Sequence, residues 1–178
     1  MAKAVVLGGN GFIGAHLVNA LADAGHEVAV FDRFTATSPV LRTSGVRVLQ
    51  GEFLSRGDLE AAVAGQDYVF HLLSTTTPVT AEADPTLDIR TNVAQSIELF
   101  ELAARAGVRH VYFFSTGGAI YGLQGRASYA ETDRAMPVSP YGIGKLTLEH
   151  YLRYFRVTHG LNSTSLRISN PYGPGQHA

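Results

Sequence analysis

Short apolar runs alternate along this chain with longer segments whose apolar residues recur every three or four positions. The runs occupy residues 4–7, 27–31, 46–49, 68–72, 110–114 and 164–168, and each predicts a buried strand. Glycines such as Gly25, Gly107 and Gly160 mark the ends of helical segments. Because the strands are mostly apolar throughout and alternate with helices, the pattern predicts an α/β fold with a doubly wound parallel sheet.

Capping residues and apolar periodicity predict three helices in the part of the chain after residue 57. Asp58 is placed to cap a short helix over 59–63, before Gly65. Asp84-Pro85 opens a long helix over 84–106, and Ser139-Pro140 opens another over 140–159. The positions predicted to be buried are Ile89, Val93, Ile97, Phe100 and Ala104 in the first long helix, and Ile143, Leu146, Leu152 and Phe155 in the second.

Composition narrows the chemistry. A length of 178 residues predicts one domain, and the absence of cysteine excludes disulfides, thiolate nucleophiles and cysteine-bound metals. The 7 histidines show no paired ligand spacing, so no metal is expected. A net charge of -1 provides no basic field for nucleic acid. We find no apolar run long enough for a membrane span or a leader, so we expect no membrane partner and a cytoplasmic location.

The turn after the first strand is rich in glycine. Residues 8–14 fit both G-x-x-G-x-x-G from Gly8 and G-x-G-x-x-G from Gly9. Missing side chains let the backbone approach a pyrophosphate at the N-terminus of the next helix, and let Gly14 pack that helix against the sheet. Asp32 ends the second strand, where its carboxylate can accept hydrogen bonds from the adenosine ribose. A tight turn and a strand-end Asp are the alternative, but together these features predict dinucleotide binding.

The same carboxylate bears on the choice of cofactor. Asp32 would repel a ribose 2′-phosphate, which favours NAD over NADP. The adjacent Arg33 could instead stack on adenine or pair with that phosphate, which keeps NADP open.

Tyr141 and Lys145 stand four residues apart in the predicted helix over 140–159, and so share one face of it. A phenol has an ordinary pKa near ~10, but a nearby ammonium and a positive nicotinamide ring both favour the phenolate. The spacing suits general acid/base chemistry. An amphipathic Tyr beside a solvated Lys is the alternative.

Six segments resemble, in order, the motifs of extended short-chain dehydrogenase/reductases, and the resemblance extends over essentially the whole chain. They are residues 8–14, 67–72, Asn92-Val93, 115–122, 139–145 and 167–175. Within that superfamily the chain is similar to NAD-dependent epimerase/dehydratases that act on nucleotide sugars. The resemblance implies a Rossmann domain, NAD as cofactor, a UDP-hexose substrate, and epimerisation at C4 through a 4-keto intermediate.

The resemblance also implies a cofactor site. Phe12 and Ile13 would line the pyrophosphate, Glu52 and Phe53 would flank adenine, and residues 72–74 would border a ribose. Asn92 would be a structural or a cofactor contact. The complete implied set is Gly8, Gly11, Phe12, Ile13, Gly14, Asp32, Arg33, Glu52, Phe53, Leu72, Leu73, Ser74, Asn92, Ser115, Tyr141 and Lys145.

The implied catalytic residues are Tyr141 as proton acceptor, Lys145 as its tuning partner and ribose ligand, and a hydroxyl that polarises the sugar O4. The usual hydroxyl position holds Gly117 here, so Thr116 is the first candidate and Ser115 the second. A strand end whose hydroxyls bond only backbone groups is the alternative. The implied substrate contacts are Thr116, Tyr141 and Asn170, the last toward the phosphates.

Dehydration and ketoreduction are two alternatives to epimerisation, and the loop after the fifth predicted strand bears on the first of them. Nucleotide-sugar dehydratases place acidic residues where Gly118 and Ala119 stand, because eliminating water needs an extra acid and base, so epimerisation is favoured. A ketoreductase, which needs only Tyr141, Lys145 and a released cofactor, is an alternative. So is a non-catalytic dinucleotide-binding protein.

The resemblance also bears on the oligomeric state of the protein and on how much of the substrate-binding region this chain contains. The two long helices pair across a two-fold axis in this family, and Leu148, Tyr151, Tyr154 and Phe155 spread over more than one face, so a homodimer is expected. We assign 1–178 to the NAD-binding domain, with 169–178 beginning the substrate-binding region. We expect most of that region to be absent, so that this chain binds NAD, turns over little sugar and exposes an apolar patch.

Overall fold

The computed structural model describes residues 1–36 and 38–176, so the last two residues of the predicted substrate region lie outside the described residues. Six strands alternate with helices, except that β2 is followed by β3 with no helix between them. In chain order the elements are β1 (Lys3–Leu7), α1 (Phe12–Asp23), β2 (Glu27–Asp32), β3 (Arg47–Gln50), α2 (Arg56–Val63), β4 (Tyr68–His71), α3 (Pro78–Ala83), α4 (Pro85–Asp88), a π-helical turn (Ile89–Val93), α5 (Ala94–Arg105), β5 (His110–Thr116), α6 (Pro140–His159) and β6 (Ser163–Ile168).

All six strands are parallel, in the order β3-β2-β1-β4-β5-β6. The central strand β1 places Val6 opposite Val30 of β2 on one side and Phe70 of β4 on the other. The strand order reverses between β1 and β4, and ligands of doubly wound sheets bind beyond the carboxyl ends of strands at such a point. The predicted fold class is confirmed.

The two faces of the sheet are covered unequally. One face packs under α2, α5 and α6, with Leu59, Phe100 and Leu152 in a single apolar core. On the other face, α1 covers β1 and β2 through Val18. Beyond it Phe70 and Tyr112 are half-buried and their rings stack at 4.7 Å. None of the helices in the described ranges is long and apolar enough to span a bilayer.

The predicted helix over 84–106 is interrupted by the π-helical turn. Asp84 caps its start as predicted, because its carboxylate accepts from the backbone N–H groups of Thr86 and Leu87. A π-turn adds a residue to the turn and so rotates the N-terminal part relative to the rest. Ile89, predicted to be buried, is 59% exposed, and Asp88 is buried in its place.

Two other helix predictions were wrong in detail. Asp58 does not cap α2: that helix begins a turn earlier, where the Ser55 hydroxyl accepts from the Asp58 N–H. In α6, Ile143 is half exposed, whereas Leu148 and Phe155 are buried in the core. Only Tyr151 and Tyr154 of the four residues assigned to the dimer surface are therefore exposed.

Candidate active site

A crevice of about 750 Å³ opens at the carboxyl ends of β1, β4 and β5, and a cleft of about 350 Å³ adjoins it toward β2 and β3. Every predicted site residue except Asn92 lines the crevice, the cleft or both. Those in the crevice are Gly8, Gly11, Phe12, Ile13, Gly14, Leu72, Ser74, Ser115, Thr116, Tyr141, Lys145 and Asn170. The adjoining cleft adds Asp32, Arg33, Glu52, Phe53 and Leu73.

The glycine turn brings backbone to the floor of the crevice. Gly8 has φ +86°, a conformation that side chains disfavour, and a Cβ at Gly14 would overlap the Gly8 carbonyl oxygen. Gly11 caps α1 with no side-chain hydrogen bond, so the first-turn N–H groups are free of a side-chain cap. A helix N-terminus of this form fits the phosphates of a dinucleotide.

Asp32 joins the second strand to the glycine turn. Its Oδ2 accepts from the backbone N–H of Asn10 at 3.1 Å, and its Oδ1 accepts from that of Arg33 at 2.8 Å. Both hydrogen bonds hold the carboxylate at the mouth of the 350 Å³ cleft, while the Arg33 side chain is exposed. The carboxylate is thus placed where the sequence predicts it.

Lys145 is buried within α6, whose N-terminus is capped by Ser139. Its Nζ donates to the Phe114 carbonyl at 2.9 Å and lies 4.8 Å from the centre of the Phe113 ring. Burial lowers the pKa of Lys145 to about 8, because desolvation disfavours the ammonium. The interpretation as a solvated Lys is therefore wrong.

Tyr141 lies one turn earlier on the same helix, with the Lys145 Nζ 5.6 Å from its ring centre. Burial raises the pKa of Tyr141, and the negative charge of Asp88 raises it further. In the protein without a bound ligand, burial and the charge of Asp88 therefore outweigh the expected stabilisation of the phenolate by the Lys145 ammonium. Both effects favour the neutral phenol of Tyr141.

The two candidate hydroxyls have different surroundings. Ser115 Oγ donates to Glu149 Oε1 at 2.6 Å, whereas Thr116 Oγ1 accepts a longer bond from the Ala119 N–H at 3.3 Å. The Thr116 hydroxyl therefore keeps its own proton for a ligand in the crevice. A Cβ at Gly117 would lie 3.0 Å from the Arg167 carbonyl oxygen, so a side chain there would require its neighbours to shift slightly.

Behind the site, Glu149 and Arg167 form a largely buried ion pair that sequence reasoning did not find. Arg167 donates to both carboxylate oxygens of Glu149, at 3.1 and 2.7 Å, which raises the pKa of Arg167. The same guanidinium donates to Tyr121 Oη at 2.9 Å and to the Glu131 carbonyl at 3.1 Å. The pair thus links β6, α6 and the loop beyond β5.

Asn92 belongs to a buried polar cluster and not to the crevice wall. Its side chain accepts from the Thr75 N–H at 2.8 Å and donates to Thr76 Oγ1 and Asp88 Oδ1 at 2.6 and 2.8 Å. Of the two roles considered, this geometry supports the structural one. Asp88 was not a predicted site residue, because its burial depends on the π-helical turn.

Asn170 lies on the crevice wall in the segment after β6, with φ +45°. A hydrogen bond of 2.9 Å between the His16 ring and the Pro174 carbonyl ties this segment to α1.

Among residues 1–36 and 38–176, no three His, Asp or Glu side chains are arranged to hold a metal.

Comparison with known proteins places this arrangement in a family. The chain is 31% identical to the UDP-glucose 4-epimerase of Mycolicibacterium smegmatis over 180 residues, which cover 98% of this chain and 58% of that protein. The structure superposes on the UDP-glucose 4-epimerase of Thermotoga maritima, solved with UDP-glucose, with a TM-score of 0.90 and 34% identity, covering 98% of this chain and 58% of that one. It also superposes on the UDP-glucose 4-epimerase of Thermus thermophilus, solved with NAD, with a TM-score of 0.90 and 35% identity. That match covers 98% of this chain and 57% of the other.

The chain therefore spans somewhat over half the length of these relatives. The sequence profile of the NAD dependent epimerase/dehydratase family matches residues 4–178. The resemblance seen in the six motifs is confirmed, and the chain belongs to the NAD dependent epimerase/dehydratase family.

Proposed function

We propose that this chain carries the cofactor site and the proton-transfer residues of a nucleotide-sugar 4-epimerase that acts on a UDP-hexose. One observation carries the proposal: Tyr141, Lys145 and Thr116 line the same crevice as the glycine turn. A dinucleotide fold alone would not specify a reaction. Proton-transfer residues beside the expected nicotinamide position point to an oxidation and reduction at a carbinol carbon.

The residues present fit NAD. The glycine turn leaves no side chain between the crevice and the N-terminus of α1, which would hold the pyrophosphate. Asp32 would hold the adenosine ribose, and the cleft wall formed by Glu52 and Phe53 would flank the adenine. When bound, NAD supplies a hydride acceptor and, once reduced, a hydride donor.

The chain's own residues would move the proton. Thr116 Oγ1 would donate a hydrogen bond to the sugar O4, and Tyr141 Oη would take the proton of the 4-hydroxyl and later return it to the 4-keto sugar. Because burial raises the pKa of Tyr141, the phenolate needs positive charge nearby, and the Lys145 ammonium is the protein's own contribution. A nicotinamide ring beside it would add to this effect.

The loop beyond β5 supports epimerisation over dehydration. A Cβ at Gly118 would meet nothing within 4 Å, so an acidic side chain would fit there, yet none is present. The acidic residues that would supply the extra acid and base for eliminating water are therefore absent from positions 118 and 119. Ketoreduction differs by releasing a reduced sugar and an oxidised cofactor, and the product of the assay distinguishes the two.

Two protein forms test the function. One is residues 1–178; the other continues after residue 176 with the corresponding C-terminal part of the Thermotoga maritima relative. We expect both forms to bind NAD by calorimetry and only the longer form to convert UDP-glucose into its C4 epimer. Tyr141→Phe should bind NAD within about threefold of the parent and lose activity by at least about 10²-fold.

The control is Tyr172→Phe, which removes an exposed phenol outside the crevice. NAD binding without any turnover by the longer form would favour the non-catalytic dinucleotide-binding alternative. Net consumption of NADH with a keto sugar would favour the ketoreductase. Full activity from residues 1–178 would contradict the assignment of 169–178 as only the beginning of the substrate region.

The proposal includes a homodimer and a cytoplasmic location. Ile143, Tyr151 and Tyr154 are exposed on α6, and such apolar side chains on one helix favour association. We expect the chain to sediment as a dimer at micromolar concentration and Tyr154→Arg to sediment as a monomer. Tyr172→Arg, a matched change at an exposed tyrosine off this surface, should leave the dimer intact, and a monomeric parent would contradict the dimer.

A further inference from the structure

Asp88 is a buried carboxylate with no role in the reaction proposed above. Its side chain lies at the end of α4, directly before the π-helical turn, and is 3% exposed. Oδ1 accepts from Thr76 Oγ1 at 2.5 Å and from Asn92 Nδ2 at 2.8 Å. These two donors hold the carboxylate in one orientation and leave Oδ2 for another neighbour.

The neighbour of Oδ2 is the backbone of α6. A Cβ built at Gly144 would overlap this oxygen, so only glycine lets the carboxylate approach so closely. Glycine is a poor residue for a helix interior, and Gly144 lies in the second turn of α6, where this contact gives it a structural role. Gly144 directly precedes Lys145 and lies three residues after Tyr141.

Lys145 has few charged neighbours on the elements packed against it. From β5 it receives the Phe114 carbonyl and the Phe113 ring, and from its own helix the Tyr141 ring. His71 of β4 is neutral, because burial lowers its pKa to about 3.

Two carboxylates complete the surroundings of Lys145. Glu149, one turn further along α6, is occupied by Arg167. Asp88 pairs with no Lys or Arg in the part of the chain that the structure describes. A buried ammonium is costly unless a negative group compensates it, and Asp88 is the carboxylate placed to do so.

We propose that Asp88 is a positioning residue for the Tyr141–Lys145 pair: its carboxylate packs into the space left by Gly144 and provides the counter-charge of the buried Lys145 ammonium. Its meaning for catalysis rests on the proposed function, because a neutral Lys145 could no longer attract the Tyr141 phenolate. The charge of Asp88 also raises the pKa of Lys145, in agreement with this geometry.

The sequence permits a direct test, because Lys3 and Lys145 are its only lysines. In a Lys3→Arg background, protein labelled with [ε-¹³C]lysine gives a single NMR signal, that of Lys145. We expect this signal to titrate near pH 8 in the parent, following the pKa of Lys145. Asp88→Asn keeps the shape and an acceptor oxygen but removes the charge, and should lower the pKa by about one unit, a tenfold rise in the acid dissociation constant.

Glu82→Gln is the matched control, because Glu82 is exposed on the neighbouring α3. It should leave the Lys145 titration unchanged. A folded Asp88→Asn protein with the parental titration would overturn the proposal, and so would an equal shift in Glu82→Gln. A purely structural role for Asp88 would reduce stability without moving the titration of Lys145.

If circular dichroism shows that Asp88→Asn does not fold, Gly144→Ala provides the decision. The added methyl displaces the carboxylate from α6 while improving helix propensity, so the pKa of Lys145 should fall by part of the Asp88→Asn effect. An unchanged titration in Gly144→Ala would then overturn the proposal. Neither NAD nor sugar is present in these titrations, so failure of the epimerase assay and failure of this inference are separate results.

Discussion

The Ser115 hydroxyl donates to Glu149 Oε1 at 2.6 Å, and this hydrogen bond distinguishes it from Thr116, which the sequence ranks first of the two candidate hydroxyls. Glu149 is held in turn by Arg167, so Ser115 belongs to the support behind the site. Thr116, the next residue, lines the crevice with its hydroxyl proton uncommitted.

Replacing each hydroxyl should therefore have different effects. Thr116→Val should lower kcat of the longer form by about 10²-fold, because a donor to the sugar O4 is lost. Ser115→Ala should keep kcat within about fivefold but lower the free energy of unfolding by about 1–2 kcal/mol, because Glu149 loses a buried donor. Turnover assays and urea unfolding check the two effects, and a reversed pattern would make Ser115 the catalytic hydroxyl.

Gly14→Ala should damage both folding and cofactor binding. The new Cβ would overlap the Gly8 carbonyl oxygen and crowd Gly9 Cα, so α1 must move away from the sheet. We expect a loss of about 2–3 kcal/mol in the free energy of unfolding and at least about tenfold weaker NAD binding. Gly57→Ala, where a Cβ would meet nothing within 4 Å in α2, should be neutral or slightly stabilising in the same urea and calorimetry measurements.

Asp32→Asn should weaken the discrimination between NAD and NADP. The amide keeps an oxygen for the Asn10 N–H, so the glycine turn should hold, but it no longer repels a 2′-phosphate. We expect calorimetry to show about tenfold tighter NADP binding than in the parent, with NAD affinity changed by no more than about threefold. Equal affinities for both cofactors in the parent would mean that Arg33 dominates the pocket.

His71 should make stability depend on pH. Its pKa is about 3 in the folded protein, because complete burial disfavours the imidazolium, against an ordinary value of 6.5. Below pH 6.5 the unfolded chain binds a proton that the folded chain does not, so this contribution is complete above pH 6.5 and declines by about 1.4 kcal/mol per pH unit below it.

Urea unfolding at pH 7 and pH 5.5 measures this effect together with that of His110, whose pKa burial also lowers. The carboxylates with lowered pKa, such as Asp84 and Asp133, titrate at lower pH. His71→Gln, which can still bond Ser96 Oγ, should remove most of the difference between the two pH values. His150→Gln, at an exposed position, should retain it. Equal pH dependence in all three proteins would contradict the buried neutral state of His71.

Local patterns in the sequence predicted most of the fold. Six apolar runs became six strands, because a strand covered on both faces of a sheet needs apolar side chains at most positions. The prediction that every run is buried was wrong for β3 and β6, which lie at the two edges of the sheet and hold no buried residue. The glycine turn and the Tyr141–Lys145 spacing were equally readable, since each involves residues within one turn or one helix. These features depend on the chain's own geometry over a few residues.

Tertiary packing decided which side chains are buried around the glycine turn and the Tyr141–Lys145 pair, and which hydrogen bonds they make. The π-helical turn exchanged Ile89 for Asp88 as the buried residue, an outcome that a regular helical period cannot predict. The hydrogen bonds from Ser115 and Arg167 to Glu149 join residues 34 and 18 positions apart, respectively.

The sequence by itself determined the sheet, the glycine turn and the spacing that brings Tyr141 and Lys145 to one face of α6. Only the tertiary structure decided that Lys145 is buried, that Tyr141 has a raised rather than a lowered pKa, and that Glu149 occupies the hydroxyl of Ser115 but not that of Thr116. The physical reason is that desolvation and hydrogen-bond partnership depend on which distant elements cover a side chain, whereas strand and turn propensity depend on neighbours along the chain.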